Sequence, residues 1–265
     1  MKHLSVNGAG LTTVDRGSGL TLVLVHGFPL NHTMWNAQIA ALASRYRVLA
    51  PDLRGFGASG VTEGKVSMDQ MADDLAGLLD ASGIQEPVVL CGLSMGGYIA
   101  LRFWLRHRLR LRALILCDAR SAADTPEAAG NRVTLADRVL REGPAPAAEA
   151  MLPKLVAETT AKAHPEVVEA IRQMVLSTDP RGLAAAARGM AERPEMTSLL
   201  PEITCPALLI VGQADVISTP SDMRCMAEAI PGAKFVEIRC AGHMSPMENP
   251  AEVNAAIGAF LAELE

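Results

Sequence analysis

Short runs of Val, Leu and Ile alternate with helical patterns along most of this chain. The runs at 21–25 (TLVLV), 46–50 (YRVLA), 87–91 (PVVLC), 112–117 (RALILC), 206–211 (PALLIV) and 234–239 (KFVEIR) read as strands. The early ones are continuous, as strands buried on both faces must be. Residues 2–6 and 10–15 flank Asn7-Gly8, a preferred tight-turn pair, and read as a β-hairpin. Strands alternating with helices of this length imply a mainly parallel sheet covered on both sides.

The helices carry their own punctuation. Ser67 with Gln70 forms a capping-box pattern ahead of Met68, Met71, Ala72, Leu75, Leu78 and Leu79, and Gly83 stands where a C-terminal glycine belongs. Thr219-Pro220 opens a helix stopped by Pro231-Gly232, and Asn249-Pro250 opens the last one. From about Arg120 to Leu200 no strand pattern occurs, only Ala-rich helical stretches divided by Gly143-Pro144, Pro153, Pro165 and Pro180, one of them bracketed by Thr125-Pro126 and Gly143. An all-helical insertion between two core strands is expected to sit on top of the sheet as a cap.

A length of 265 residues suffices for one domain with a sizeable core. The net charge of −5 argues against nucleic-acid binding, since an acidic surface repels phosphate. Arg102, Arg106, Arg108, Arg110 and Arg112 cluster at an expected helix end, where cations complement the exposed carbonyls. No run approaches the ~18 apolar residues of a membrane helix, and no signal peptide is evident, so no membrane partner is expected. Five scattered cysteines without a CxxC pair read as reduced core thiols of a cytoplasmic protein.

The chemistry concentrates in a few loops. Gly92-Leu93-Ser94-Met95-Gly96-Gly97 joins a strand to a helix, the context of a nucleophile elbow. Such a turn strains the serine and exposes its hydroxyl, and side chains at Gly92 and Gly96 would collide across it. A serine hydroxyl needs a base. Of six histidines, only His243 lies in a loop between the last strand and the last helix. Asp215, after the strand at 206–211, completes the order nucleophile, acid, base. Asp118, after the strand at 112–117, competes for the acid role; otherwise it pairs with Arg120 or caps the insertion. The backbone N–H groups of Phe28 and Met95 are the expected oxyanion donors. His26 reads as structural, bonding neighbouring loops. No HExxH, paired cysteines or dinucleotide glycine pattern occurs, so no metal or organic cofactor is expected.

Together, His26-Gly27-Phe28-Pro29, the stretch Pro51-Asp52-Leu53-Arg54-Gly55-Phe56-Gly57-Ala58-Ser59, the Ser94 elbow and the Asp215 and His243 loops resemble the α/β-hydrolase superfamily. Within it the chain looks most like bacterial carboxylesterases, 3-oxoadipate enol-lactonase-type hydrolases and metal-free perhydrolases. The resemblance implies an α/β-hydrolase fold. It has a mainly parallel eight-stranded sheet flanked by helices, with a helical cap inserted before the last two core strands. The core then comprises 1–119 and 201–265, and the cap 120–200. The Asp52–Ser59 turn is structural by the same resemblance. Serine at the elbow argues against haloalkane dehalogenase and epoxide hydrolase activity.

The expected function is hydrolysis of a small uncharged ester through an acyl-enzyme on Ser94, with Asp215 and His243 as acid and base. Alternatives are enol-lactone hydrolysis, carbon–carbon bond hydrolysis and a perhydrolase side activity. A ligand-binding protein without catalysis is the remaining class. Pro29, Met34, Trp35 and Met244 are candidate pocket residues, as Met151, Met174, Met190, Met196 and Met247 could be. Arg132 and Arg138 are the cations that a dicarboxylate lactone would want.

Overall fold

The structure is a computed structural model that describes all residues from Met1 to Glu265. Eight strands form one sheet: β1 (Lys2–Val6), β2 (Ala9–Arg16), β3 (Thr21–Val25), β4 (Arg47–Pro51), β5 (Val88–Leu93), β6 (Leu111–Cys117), β7 (Ala207–Gly212) and β8 (Lys234–Ile238). Their order is β1-β2-β4-β3-β5-β6-β7-β8. β1–β2 and β2–β4 pair antiparallel, and every other neighbour is parallel. Asn7 and Gly8, at φ 46° and 77°, make the first hairpin turn, as their pairing predicts. β3, β5 and β7 are buried at every residue, which explains their unbroken apolar runs. β8 closes the edge of the sheet and is the most exposed of the parallel strands.

Helices α1 (Asn36–Leu42), α2 (Met68–Ala81) and α3 (Met95–Arg106) follow β3, β4 and β5. Ser67 caps α2 by accepting the Gln70 N–H at 3.1 Å. Arg102 and Arg106 on α3 pair with Asp69 and Asp73 on α2, and Arg110 pairs with Asp80. Three of the five arginines therefore fasten α3 and the turn after it to α2, beyond the helix-end role expected of them, while Arg108 pairs with Glu202 and Arg112 donates to the Leu264 carbonyl.

Between β6 and β7 the chain is helical: α4 (Pro126–Glu142), α5 (Ala145–Leu155), α6 (Glu158–Ala163), α7 (Pro165–Leu176) and α8 (Pro180–Ala191). The expected boundaries of α4 hold, with Thr125 accepting the Ala128 N–H and Gly143 at φ 82° ending the helix. α8 meets the loop after β4 at Gly55 and Gly182, where a Cβ on Gly182 would lie 2.0 Å from the Gly55 carbonyl oxygen. After β7 come α9 (Pro220–Ala229), α10 (Ser245–Glu248) and α11 (Pro250–Ala262).

One cluster of 77 buried residues spans the sheet, its flanking helices and the inner face of the α4–α8 segment. No helix is long and apolar enough to cross a membrane. Cys91 and Cys117 are buried as expected, but Cys225 and Cys240 are exposed. The first stands on the outer face of α9 and the second in the loop after β8. These two positions correct the reading of all five as core thiols.

Candidate active site

Ser94 sits between β5 and α3 at φ 51° and ψ −110°, a conformation that costs a non-glycine residue about 1–3 kcal/mol. The glycines around it explain how the turn is made. A Cβ on Gly92 would lie 2.2 Å from the Gly96 carbonyl oxygen, and one on Gly96 would lie 2.3 Å from the Val25 carbonyl oxygen. Both obstacles are backbone and cannot move aside. Gly96→Ala is therefore expected to cost about 3 kcal/mol of stability or more. Gly258→Ala, with nothing within 4 Å of the added carbon, is expected to be neutral or to stabilise by up to about 1 kcal/mol. Denaturant midpoints of the two variants check the contrast.

The loop after β3 lies against this elbow. A Cβ on Gly27 would approach the Leu93 side chain to 2.7 Å and the Ser94 Cβ to 3.5 Å. The Phe28-Pro29 peptide is cis. Neither the Phe28 nor the Met95 N–H donates to a group within the chain. The Met95 amide is the first of α3 and has no intrahelical partner. His26 holds this loop from beneath. Its Nδ1 lies 2.9 Å from the Gly27 carbonyl, and its Nε2 accepts the Leu53 N–H at 3.0 Å. Complete burial pushes its pKa down to about 4, so the ring is neutral and bonds two loops, as expected. Asp52 is likewise structural: its carboxylate accepts the N–H groups of His32 and Ala58, each at 2.9 Å.

Asp215 and His243 meet directly, with His243 Nδ1 2.8 Å from Asp215 Oδ2. A carboxylate only accepts, so Nδ1 carries a proton, and the neutral ring is the tautomer with its lone pair on Nε2. Asp215 Oδ1 accepts the N–H groups of Ile217 at 2.7 Å and Ser218 at 3.0 Å. Both side chains are almost entirely buried. The two loops are laced together where Ala214 donates to the Ala241 carbonyl. Ser94 stands half-exposed at the same C-terminal edge of the sheet. Its hydroxyl forms no hydrogen bond to the His243 ring in this conformation.

Asp118 corrects an expectation. Its side chain neither pairs with Arg120 nor caps the insertion; Arg120 pairs with Asp222 instead. Asp118 is fully buried at φ 46°, accepts the Gly212 N–H at 2.7 Å, and has Ser245 Oγ 2.5 Å from its other oxygen. Burial, reinforced by the nearby Asp215 carboxylate, pushes its pKa well above the ordinary range. Its place at the end of β6 was visible in the sequence, but its partner Ser245 lies 127 positions away. Glu248, whose carboxylate touches both amides beside His243, was not picked out by the sequence. Only its position five residues after the histidine could have drawn notice.

The four candidate pocket residues are all buried: Pro29 beside the Phe28 amide, Met34 and Trp35 on the single turn before α1, and Met244 beside His243. Arg132 pairs with Asp124, which Arg193 also reaches at 2.5 Å. Arg138 pairs with Glu142 on the outer face of α4.

A family model described as alpha/beta hydrolase fold matches residues 21–250. Among solved structures, a thermophilic esterase from Thermogutta terrifontis is 51% identical. It superposes with a TM-score of 0.97, covering 99% of this chain and 98% of that one. The enol-lactonase from Burkholderia xenovorans LB400 is 31% identical, with a TM-score of 0.92 over 98% of this chain and 100% of its own. In sequence, 3-oxoadipate enol-lactonase 1 of Acinetobacter baylyi is 28% identical over 92% of this chain and 89% of its own length. The chain belongs to the α/β-hydrolase fold family and is a hydrolytic enzyme.

Proposed function

We propose that the chain is a serine hydrolase cleaving small carboxylic esters, with Ser94 as nucleophile, His243 as base and Asp215 as the acid that orients it. The observation that carries this reading is the 2.8 Å contact from His243 Nδ1 to Asp215 Oδ2, which in the neutral ring places the proton on Nδ1 and makes Nε2 the basic nitrogen. Ser94 attacks the ester carbonyl as Nε2 takes its proton, a hydrogen bond that forms when substrate closes the site. The tetrahedral oxyanion accepts from the unpartnered Phe28 and Met95 amides. The imidazolium then protonates the departing alkoxide. Water, deprotonated by the same ring, attacks the acyl-enzyme and frees the acid.

Esters are favoured over lactones by the 51% identity to the Thermogutta terrifontis esterase. Enol-lactone hydrolysis is the second reading, supported by the Burkholderia xenovorans and Acinetobacter baylyi enzymes. Within this proposal residues 120–200 act as a cap whose pocket walls set the acyl and alcohol preference. Its backbone contacts at Gly55 and at Gly242 support that role. Pro29, Met34, Trp35 and Met244 are proposed to line the pocket or to back its walls.

The acyl-enzyme is tested by trapping. Brief reaction with a p-nitrophenyl ester, acid quench and peptide mass analysis is expected to find the acyl mass on the peptide carrying Ser94. One equivalent of p-nitrophenol should be released in the first turnover. An acyl group on another residue, or turnover with no covalent species at any quench time or pH, would count against the mechanism.

A further inference from the structure

The Glu248 carboxylate accepts four hydrogen bonds, two on each oxygen. Oε1 takes the Gly242 N–H at 2.8 Å and the Met244 N–H at 3.1 Å, the two amides that flank His243. Oε2 takes the Ala157 N–H at 2.8 Å and the Thr160 hydroxyl at 2.6 Å, both in the helical insertion. One rigid, planar group thus spans the loop that carries the histidine and the α5–α6 junction. The backbones also touch there: a Cβ on Gly242 would lie 2.6 Å from the Ala157 nitrogen. The Met244 N–H reaches the Leu155 carbonyl at 2.9 Å as well. On the sheet side the same loop is held by Ser245 against Asp118.

We propose that Glu248 is a positioning residue for His243, latching the helical insertion to the loop of the base so that the two move as one unit. The inference rests on His243 being the base. The Asp215 contact holds the ring by one nitrogen. Where Nε2 points then depends on the backbone at 242–244, and Glu248 fixes that backbone by the amides on both sides of the histidine. Displacement of the insertion, for example when substrate enters beneath it, passes through Oε2 to Oε1 and so to the ring.

Glu248→Gln separates this role from general support. A glutamine keeps one accepting oxygen and turns its NH₂ toward the other pair of donors, so one side of the latch is lost. Thr160→Val removes one bond on the insertion side and leaves the charge in place. With a short-chain p-nitrophenyl ester, E248Q is expected to lower kcat about 10- to 100-fold with KM within about twofold, as sub-ångström to ångström misplacement does. T160V is expected to lower kcat about two- to fivefold by the same effect. In both, a looser His243–Asp215 contact stabilises the imidazolium less. The acid limb of kcat/KM should therefore move to lower pH.

A folded E248Q protein with wild-type kcat and acid limb overturns the proposal, as does a change in KM alone. If E248Q does not fold, T160V decides: wild-type kcat and pH profile there overturn it. His243→Ala, run in parallel, distinguishes the two failures. Ester turnover retained in that variant overturns the base assignment itself. Turnover lost there but intact in the latch variants overturns the positioning role alone.

Discussion

Ser94→Ala is expected to lower kcat on short-chain p-nitrophenyl esters about 10⁶-fold, with KM changed little. The elbow aims a single hydroxyl at the C-terminal edge of the sheet, and an alanine methyl offers no lone pair. Under the proposed mechanism, what survives is the contribution of the Phe28 and Met95 amides and of binding, which in such sites leaves about 10³–10⁴-fold over water. Because Ser94 already occupies a strained φ of 51°, alanine at this position is tolerated no worse than serine, and the variant should melt near the wild type. Initial rates on purified protein, with active-site titration to exclude contaminating wild type, check the loss. A residual kcat above about one hundredth of wild type would be far beyond the expected floor and would remove Ser94 from the mechanism. The wild-type chain-length profile sizes the acyl pocket, and a preference for lactones over every ester would promote the second reading.

Asp215→Asn is expected to cost about 10⁴-fold in kcat, whereas Asp118→Asn should remain within about tenfold of wild type. The difference follows from which donors surround each carboxylate. Asp215 Oδ1 accepts two backbone N–H groups, so an asparagine must keep its carbonyl there and turn its NH₂ to His243. A donor facing Nδ1 forces the ring proton onto Nε2, the nitrogen that should receive the serine proton. Asp118 has one N–H donor, from Gly212, and one hydroxyl, from Ser245, which can accept as well as donate. An asparagine satisfies both. Burial already favours the neutral carboxyl at 118, which an amide copies.

The pH sign follows from the same shift. The unfolded Asp118 ionises near pH 4, while the folded group, with its raised pKa, holds its proton to higher pH. Wild-type stability is therefore drawn down by this group as pH rises through that window, and Asp118→Asn lacks that slope. Urea midpoints should show the variant gaining on wild type between pH 5 and 8. A larger loss of activity in Asp118→Asn than in Asp215→Asn would reverse the acid assignment.

Much of this molecule was legible before any coordinates. All eight strands were located to within two residues at each end: the inner ones because strands buried on both faces must be written as unbroken apolar runs, and the first two because Asn7-Gly8 marks the turn between them. Helix ends at Ser67, Thr125, Thr219 and Asn249 were visible because capping is a local negotiation between one side chain and amides two or three residues on. Gly92 could be argued as obligatory from Gly92-Leu93-Ser94-Met95-Gly96 alone, since its clash is across the turn, whereas the obstacle at Gly96 is the Val25 carbonyl of neighbouring β3 and is brought there by strand pairing. That the Asp215 and His243 loops come together could be read by following strand ends, since in a parallel sheet every strand of the series delivers its loop to one edge.

Tertiary structure decided what depends on residues far apart in the chain. The crossing order that puts β4 between β2 and β3 has no local signature, because which strands pair is set by how whole segments pack and not by any short run of residues. Asp118 looked like a partner for Arg120, two residues away, but its bonds go to Gly212 and Ser245. The arginine finds Asp222 on α9 instead. Cys225 and Cys240 looked like the other thiols until the fold assigned them to its outer surface. Glu248 carries no local signature, because its four donors come from two segments far apart in the chain, Gly242 and Met244 beside His243 and Ala157 and Thr160 at the α5–α6 junction. Local patterns encode what one segment must bury or cap. Which buried polar group meets which other one depends on where whole segments pack, and a carboxylate in the interior takes the donors that packing brings to it.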